Sequence, residues 1–200
     1  TKFTSDVFSM WNYTNLFGSW NHSVFQAPGC WVDAAHRNGT DIMSGIKFFE
    51  SWTAGSGAGN WCALISTKNA DGTYKYTKAL INILMFFGSD GINYNFEDTG
   101  YSNADVVAFH KSLYKEAAAQ GFDNFHIGIY TANSSLTAAY KEALFGSTDT
   151  GKTADLMLNY SGGDFPSTNA MRSSVQVAES AMGTCEGLYT GVWFVGMDRS

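Results

Sequence analysis

The residues best suited to chemistry are concentrated in SDGINYNFEDTGY, positions 89–101. Asn93, Asn95 and Glu97 recur at every second position there. On an extended strand, residues two apart share a face. These three are therefore expected to point together, with Asp98 at the loop that follows. A carboxyl beside two carboxamides at a strand end is an odd choice for packing. A Glu in an apolar mouth is pushed above the usual carboxylate range and stays partly protonated near neutrality. That form can give a proton to a glycosidic oxygen. The second carboxylate of most glycosidases is missing from this face, where Asn95 holds the partner position. A 2-acetamido sugar can supply the nucleophile itself, its amide oxygen attacking the anomeric carbon to give an oxazolinium. The protein then needs a group to orient the acetamide, which an Asn can do. From the residues alone the alternative stays open: a satisfied polar network that caps the strand.

The elements that would carry these residues follow a strand–helix rhythm. Strands are expected at Thr14–Asn21, Asp41–Phe49, Asp90–Glu97, Asn124–Tyr130, Asp155–Tyr160 and Leu188–Met197. Asp6–Trp11 is a seventh candidate. Helices are expected within Ala27–Gly39, stopping at Asn38-Gly39, and over Thr73–Gly88, Asn103–Gly121, Ser134–Phe145 and Thr168–Met182. Asn103 is the expected N-cap of the third. Its buried face is read as Val106, Val107, Phe109, Leu113 and Ala117. Alternation of this kind implies βαβ units and a parallel sheet. Polar or aromatic residues close each strand, as in a (β/α)8 TIM-type barrel whose chemistry sits at the C-terminal strand ends. The competing fold is a doubly wound open sheet, which usually shows a Gly-rich phosphate turn after its first strand. Gly55–Gly59 (GSGAG) lacks that order and is read as a loop.

Composition bounds the partners. Charged residues are 15% of the 200, against a usual value of about 25%. Aromatic residues are 16%, and Gly numbers 21. Such a surface suits stacking on neutral polar ligands. The net charge of −6, without a basic cluster, leaves no footprint for nucleic acid. No run approaches the roughly 20 apolar residues of a membrane span. TKFTSDVFSM lacks a charged region followed by an apolar one, so no signal peptide is expected there. Cys30, Cys62 and Cys185 show no CxxC spacing, and His22, His36, His110 and His126 show no ligand spacing. Neither a metal nor a cofactor is expected. Glycosylation sequons include those at Asn12, Asn21, Asn38 and Asn133.

CWVDAAHRNGTDIMSGIKFFE (30–50) resembles the helix–strand block of glycoside hydrolase family 85, the endo-β-N-acetylglucosaminidases. DGINYNFE (90–97) resembles that family's Asp-Gly…Asn-x-Glu strand, and WNYTNLFGSWNH (11–22) its Trp-x-Tyr…Phe-x-x-Trp strand and loop. IYTANS (129–134) is similar to its Trp-Tyr-Asp-Ser, and DLMLNY (155–160) to the strand ending Leu-Asn-Tyr. WVDAAHRNG is the most specific of these. The resemblance implies that Glu97 is the general acid/base and that Asn95 orients and stabilises the reacting acetamide. It implies that Tyr130 contacts that acetamide and that Asn159 and Tyr160 line the sugar site. The implied reaction cleaves the β-1,4 bond between the two core N-acetylglucosamines of an N-glycan, with retention. The implied partner is an N-linked glycan or glycoprotein, and the compartment is cytosolic or exported.

The chain departs from the family pattern in places. Thr131 replaces the Asp after the tyrosine, and Ser161-Gly162 replaces an aromatic pair, with Phe165 further on. These changes bear on aglycone and mannose contacts. The family's first strand, with its His-Asp-Met motif, has no counterpart. The expected fold is thus one catalytic-type barrel domain over residues 1–200, incomplete at one or both ends, since such barrels usually take about 250 residues. The DxxDxDxE strand of chitinase-like family 18 also invites comparison. Laid on it are Asp90, Asn93, Asn95 and Glu97, with two carboxamides where that family has carboxylates. A glycan-binding barrel without turnover is a further alternative.

Sugars stack their C–H faces on aromatic rings, so Trp residues near strand ends suit subsites. Trp20 and Trp193 are the better placed of Trp20, Trp52, Trp61 and Trp193. Glu50 is expected to face the mouth, within reach of sugar hydroxyls. His36 is expected to pack at the barrel bottom and carries no catalytic role.

Overall fold

The computed structural model describes residues 8–18, 27–46, 67–96, 102–160 and 166–192, with the backbone alone at 46 and 94–96. Six parallel strands form one sheet. They are β1 (Leu16–Gly18), β2 (Asp41–Ile46), β3 (Gly91–Phe96), β4 (His126–Thr131), β7 (Asp155–Leu158) and β8 (Leu188–Thr190). A two-stranded antiparallel hairpin, β5 (Gly146–Ser147) and β6 (Gly151–Lys152), interrupts the series. The helices are α1 (Gly29–Arg37), α2 (Thr77–Phe87), α3 (Asn103–Ala119), α4 (Lys141–Leu144) and α5 (Thr168–Met182).

The spatial order β1-β2-β3-β4-β7-β8 follows the chain without reversal. A doubly wound sheet reverses at its switch point, so the unbroken order is that of a barrel wall. The wall is curled. An added Cβ on Gly18 of β1 would stand 2.9 Å from the Asn93 amide nitrogen of β3, although β2 lies between them. The sheet is thus part of a TIM-type barrel, open among the described residues.

Strand alternation decides what faces each way. Ile92, Ile127 and Ile129 turn outward and join Leu80, Ile81 and Leu84 of α2 with Phe109 and Leu113 of α3 in the largest apolar cluster. Full burial of such a side chain stabilises the fold by about 1.5–3 kcal/mol. Asn93, Gly128 and Tyr130 occupy the alternate positions and turn inward. At the buried face of α3, Val106, Phe109, Leu113 and Ala117 are buried as expected, Val107 is only partly covered, and His110 is fully buried as well.

Several expectations are corrected. Over residues 8–11 the seventh strand does not form. The Tyr13 amide donates to Met10 and the Thr14 amide to Trp11, closing a 3-10 turn at Trp11–Tyr13. Ser102, rather than Asn103, caps α3. Its hydroxyl accepts from the Asp105 amide while the Asp105 carboxylate accepts from the Ser102 amide, a reciprocal capping box. The Asn103 side-chain amide donates instead to the Ala139 carbonyl at 3.1 Å. Helix α2 begins at Thr77 and not Thr73, because the Asp71 carboxylate accepts from both the amide and hydroxyl of Thr73 and holds a turn there. The Ser134–Phe145 helix shrinks to Lys141–Leu144. The Leu136 amide donates to the Ser174 hydroxyl at 2.8 Å, and the Asn133 amide to Thr131 Oγ1 at 3.0 Å. These bonds hold the segment ahead of Lys141 to its neighbours, and bends and turns stand there in place of a helix.

Candidate functional site

The candidate site is built from the C-terminal ends of β3, β4 and β7. Asn93 lies one layer below the rim. An added Cβ on Gly128 would stand 3.2 Å from the Asn93 amide oxygen and 2.7 Å from the Met43 methyl. Glycines at 18 and 128 therefore leave the space that the Asn93 and Met43 side chains fill.

Two residues further along, Asn95 and Tyr130 are register partners across β3 and β4. Tyr130 is buried. Asn159 and Tyr160 follow β7 directly. The Asn159 amide leaves the strand ladder and donates to the Asn133 carbonyl at 3.0 Å, tying the loop after β7 to the loop after β4. The Asn159 side-chain nitrogen then donates to the Tyr130 hydroxyl at 2.8 Å and to the Thr131 carbonyl at 3.2 Å. The Tyr160 ring stacks on Tyr130, with centroids 6.2 Å apart and planes 25° from parallel. Three expected site residues, Tyr130, Asn159 and Tyr160, are thus brought into contact, and Asn93 lies beneath the same rim. Glu97, Trp20, Trp193 and Glu50 lie outside the described residues, as does the side chain of Asn95.

The opposite edge of the sheet carries a second polar cluster. His126 opens β4, with Nδ1 3.1 Å from the Asp155 carboxylate and Nε2 3.2 Å from that of Asp41. The Lys152 ammonium meets Asp155 at 3.0 Å. The Asp155 hydrogen bond raises His126 above the usual histidine range despite its partial burial. Burial pushes Asp155 up, but bonding to His126 and Lys152 outweighs it and holds the carboxyl low. His36 also lies at this N-terminal edge, with Nε2 2.7 Å from an Asp90 carboxylate that accepts from the Ile42 amide as well. Sequence reasoning missed the His126 cluster. The available signal was a titratable residue opening three strands, at Asp41, His126 and Asp155. Among the described residues no group of His, Cys, Asp or Glu could hold a metal, and no helix is long and apolar enough to cross a membrane.

The sequence model of glycosyl hydrolase family 85 matches residues 1–150. The cytosolic endo-beta-N-acetylglucosaminidases of Mus musculus and Gallus gallus are each 29% identical over 93 residues, which is 46% of this chain and 12% of theirs. The glycoside hydrolase domain of Endo-D from Streptococcus pneumoniae R6 superposes over 87% of this chain and 28% of that one, with a TM-score of 0.69 and 20% identity. A chitinase from Bacteroides thetaiotaomicron superposes over 91% of this chain and 58% of its own, with a TM-score of 0.56 and 15% identity. The chain thus spans a small part of the curated relatives' length, and the superpositions speak to the barrel fold. The family match covers three quarters of the sequence and includes both WVDAAHRNG and DGINYNFE: the chain belongs to glycosyl hydrolase family 85.

Proposed function

We propose that the chain carries the catalytic face of an endo-β-N-acetylglucosaminidase. Its reaction cleaves the β-1,4 bond of the N,N'-diacetylchitobiose core of N-glycans by substrate-assisted, retaining catalysis. The observation that carries this reading is the register of Asn95 beside Tyr130 at the rim of a family-85 barrel wall.

The chemistry runs in two steps. The acetamide oxygen of the sugar forms a bond to the anomeric carbon as the glycosidic C–O bond breaks. Glu97 gives its proton to the departing oxygen. Asn95 holds the acetamide in the plane needed for attack and stabilises the oxazolinium as charge develops on it. In the second step Glu97, now a carboxylate, takes a proton from water. That water attacks the same carbon, reopening the acetamide and restoring the original configuration. Tyr130 contacts the acetamide, while Asn93, Asn159 and Tyr160 shape the pocket. Trp20, Trp193 and Glu50 are the remaining sugar contacts.

The test is release of free glycan from a high-mannose glycoprotein, read by mass spectrometry, with the product anomer read by proton NMR. Asn95→Ala should slow hydrolysis on the order of 10²–10⁴-fold. Full activity in Glu97→Gln would remove that residue as the acid. Calorimetric binding of the glycan without any release would replace this reading with a glycan-binding barrel.

A further inference from the structure

Three hydrogen bonds close a ring between the loops that follow β4 and β7. The Asn133 amide donates to Thr131 Oγ1 at 3.0 Å. The Asn159 backbone amide donates to the Asn133 carbonyl at 3.0 Å. The Asn159 side-chain nitrogen donates back to the Thr131 carbonyl at 3.2 Å. The first of these is the local turn in which a Thr hydroxyl takes the amide two residues on. Thr131 follows the inward-facing Tyr130, so alternation turns it out of the barrel interior, and it is buried. Its hydroxyl is thus placed in the wall and not at a sugar. The loop after β4 is also held from outside. The Leu136 amide donates to Ser174 on α5 at 2.8 Å, and the Ala139 carbonyl accepts from the Asn103 side chain on α3 at 3.1 Å. Asn159 and Tyr160, just beyond the end of β7, therefore rest on a loop that two helices and Thr131 keep in place.

We propose that Thr131 is a positioning residue for the glycan site, acting through Asn133 to set Asn159 and, one residue on, Tyr160. This rests on the reading given under Proposed function, in which Asn159 and Tyr160 shape the pocket. Without the Thr131 acceptor, Asn133 loosens and the carbonyl that holds the Asn159 backbone moves with it. Contacts that shape a pocket serve the bound sugar and the transition state alike, so their loss falls on binding. The proposed reacting groups, Asn95 and Glu97, are not members of this ring.

The test compares Thr131→Val with Thr131→Ser in the full chain. Val keeps the branched shape without an acceptor, and Ser keeps the hydroxyl. Thr131→Ala is a second variant without the hydroxyl, and thermal melting confirms that each chain is folded. Amide hydrogen exchange, followed by NMR, reads the ring itself. In Thr131→Val the Asn133 and Asn159 amides should both exchange about tenfold faster, and Thr131→Ser should restore both. On an asparagine-linked high-mannose glycopeptide, Thr131→Val should raise KM about fivefold while kcat changes by less than about twofold. Thr131→Ser should match the unsubstituted chain. Faster exchange at Asn133 alone, Thr131→Ser behaving like Thr131→Val, or a fall in kcat with KM unmoved would each overturn the positioning role and leave the proposed reaction standing. If the unsubstituted chain releases no glycan, the proposed reaction fails, and this role fails with it.

Discussion

The His126 imidazole on β4 reaches over strand β3 to the Asp41 carboxylate on β2, 3.2 Å away, while its other nitrogen faces Asp155 on β7 at 3.1 Å. One side chain thus joins three strands at the edge remote from the rim. Gly91 makes the crossing feasible, since an added Cβ there would come within 2.9 Å of the His126 Cβ.

Protonated His126 stabilises the fold because its native pKa is raised, chiefly by the Asp155 hydrogen bond. That contribution is complete below the ordinary histidine value of 6.5 and fades as pH climbs through the raised native value. Asp155 works in the opposite sense. Its lowered carboxyl contributes above the ordinary value of 3.8 and is lost as pH falls through the native one. His126→Gln should cost about 1–3 kcal/mol at pH 6 and less at pH 8. Urea unfolding at the two pH values checks this, and an equal cost at both would refute it.

His110 titrates the other way. Full burial pushes it down to about 3, and a backbone hydrogen bond with Thr153 offsets this only in part. The unfolded chain takes up a proton below about pH 6.5 that the folded chain refuses. Stability should therefore fall as pH drops from 6.5 toward 3, by at most about 1.4 kcal/mol per pH unit from this group. His110→Gln should show a smaller drop in melting temperature between pH 7 and pH 5. An unchanged drop would mean that acid lability arises elsewhere.

Gly91 and Gly128 should respond differently to the same change. An added Cβ at Gly91 would lie 2.2 Å from the His126 carbonyl oxygen, a backbone atom in the sheet that no rotamer change can move. At Gly128 it would lie 2.7 Å from the end of the flexible Met43 side chain. Gly128→Ala should cost about 1–3 kcal/mol, and Gly91→Ala more. Denaturant midpoints measure both, and equal losses would contradict the distinction.

Much of the fold could be read from the sequence because local rules and tertiary packing agree. Helix α5 spans Thr168–Met182 as expected, starting after a Ser167 cap and stopping at Gly183 in the left-handed conformation. Alternation in β3 and β4 set isoleucines against the helices and left Asn93 and Tyr130 facing inward. The readings failed where a distant side chain took the backbone. The Leu136 amide is held by Ser174, 38 residues away, and no helix forms around it. Asn103 gave up the cap to its neighbour Ser102 and bonded Ala139.

The sequence by itself determined the strand–helix series, the inward alternation of its polar residues and the family to which its motifs belong. These depend on spacing and on residue type, which the chain carries locally. Only the tertiary structure decided which strands lie side by side, that Asn95 stands in register with Tyr130, and that Asn159 holds the Tyr130 hydroxyl. It also brought Asp41, His126 and Asp155 together across 114 positions of the sequence. Such contacts join residues far apart in the chain, and they exist only once the strands have assembled into the sheet.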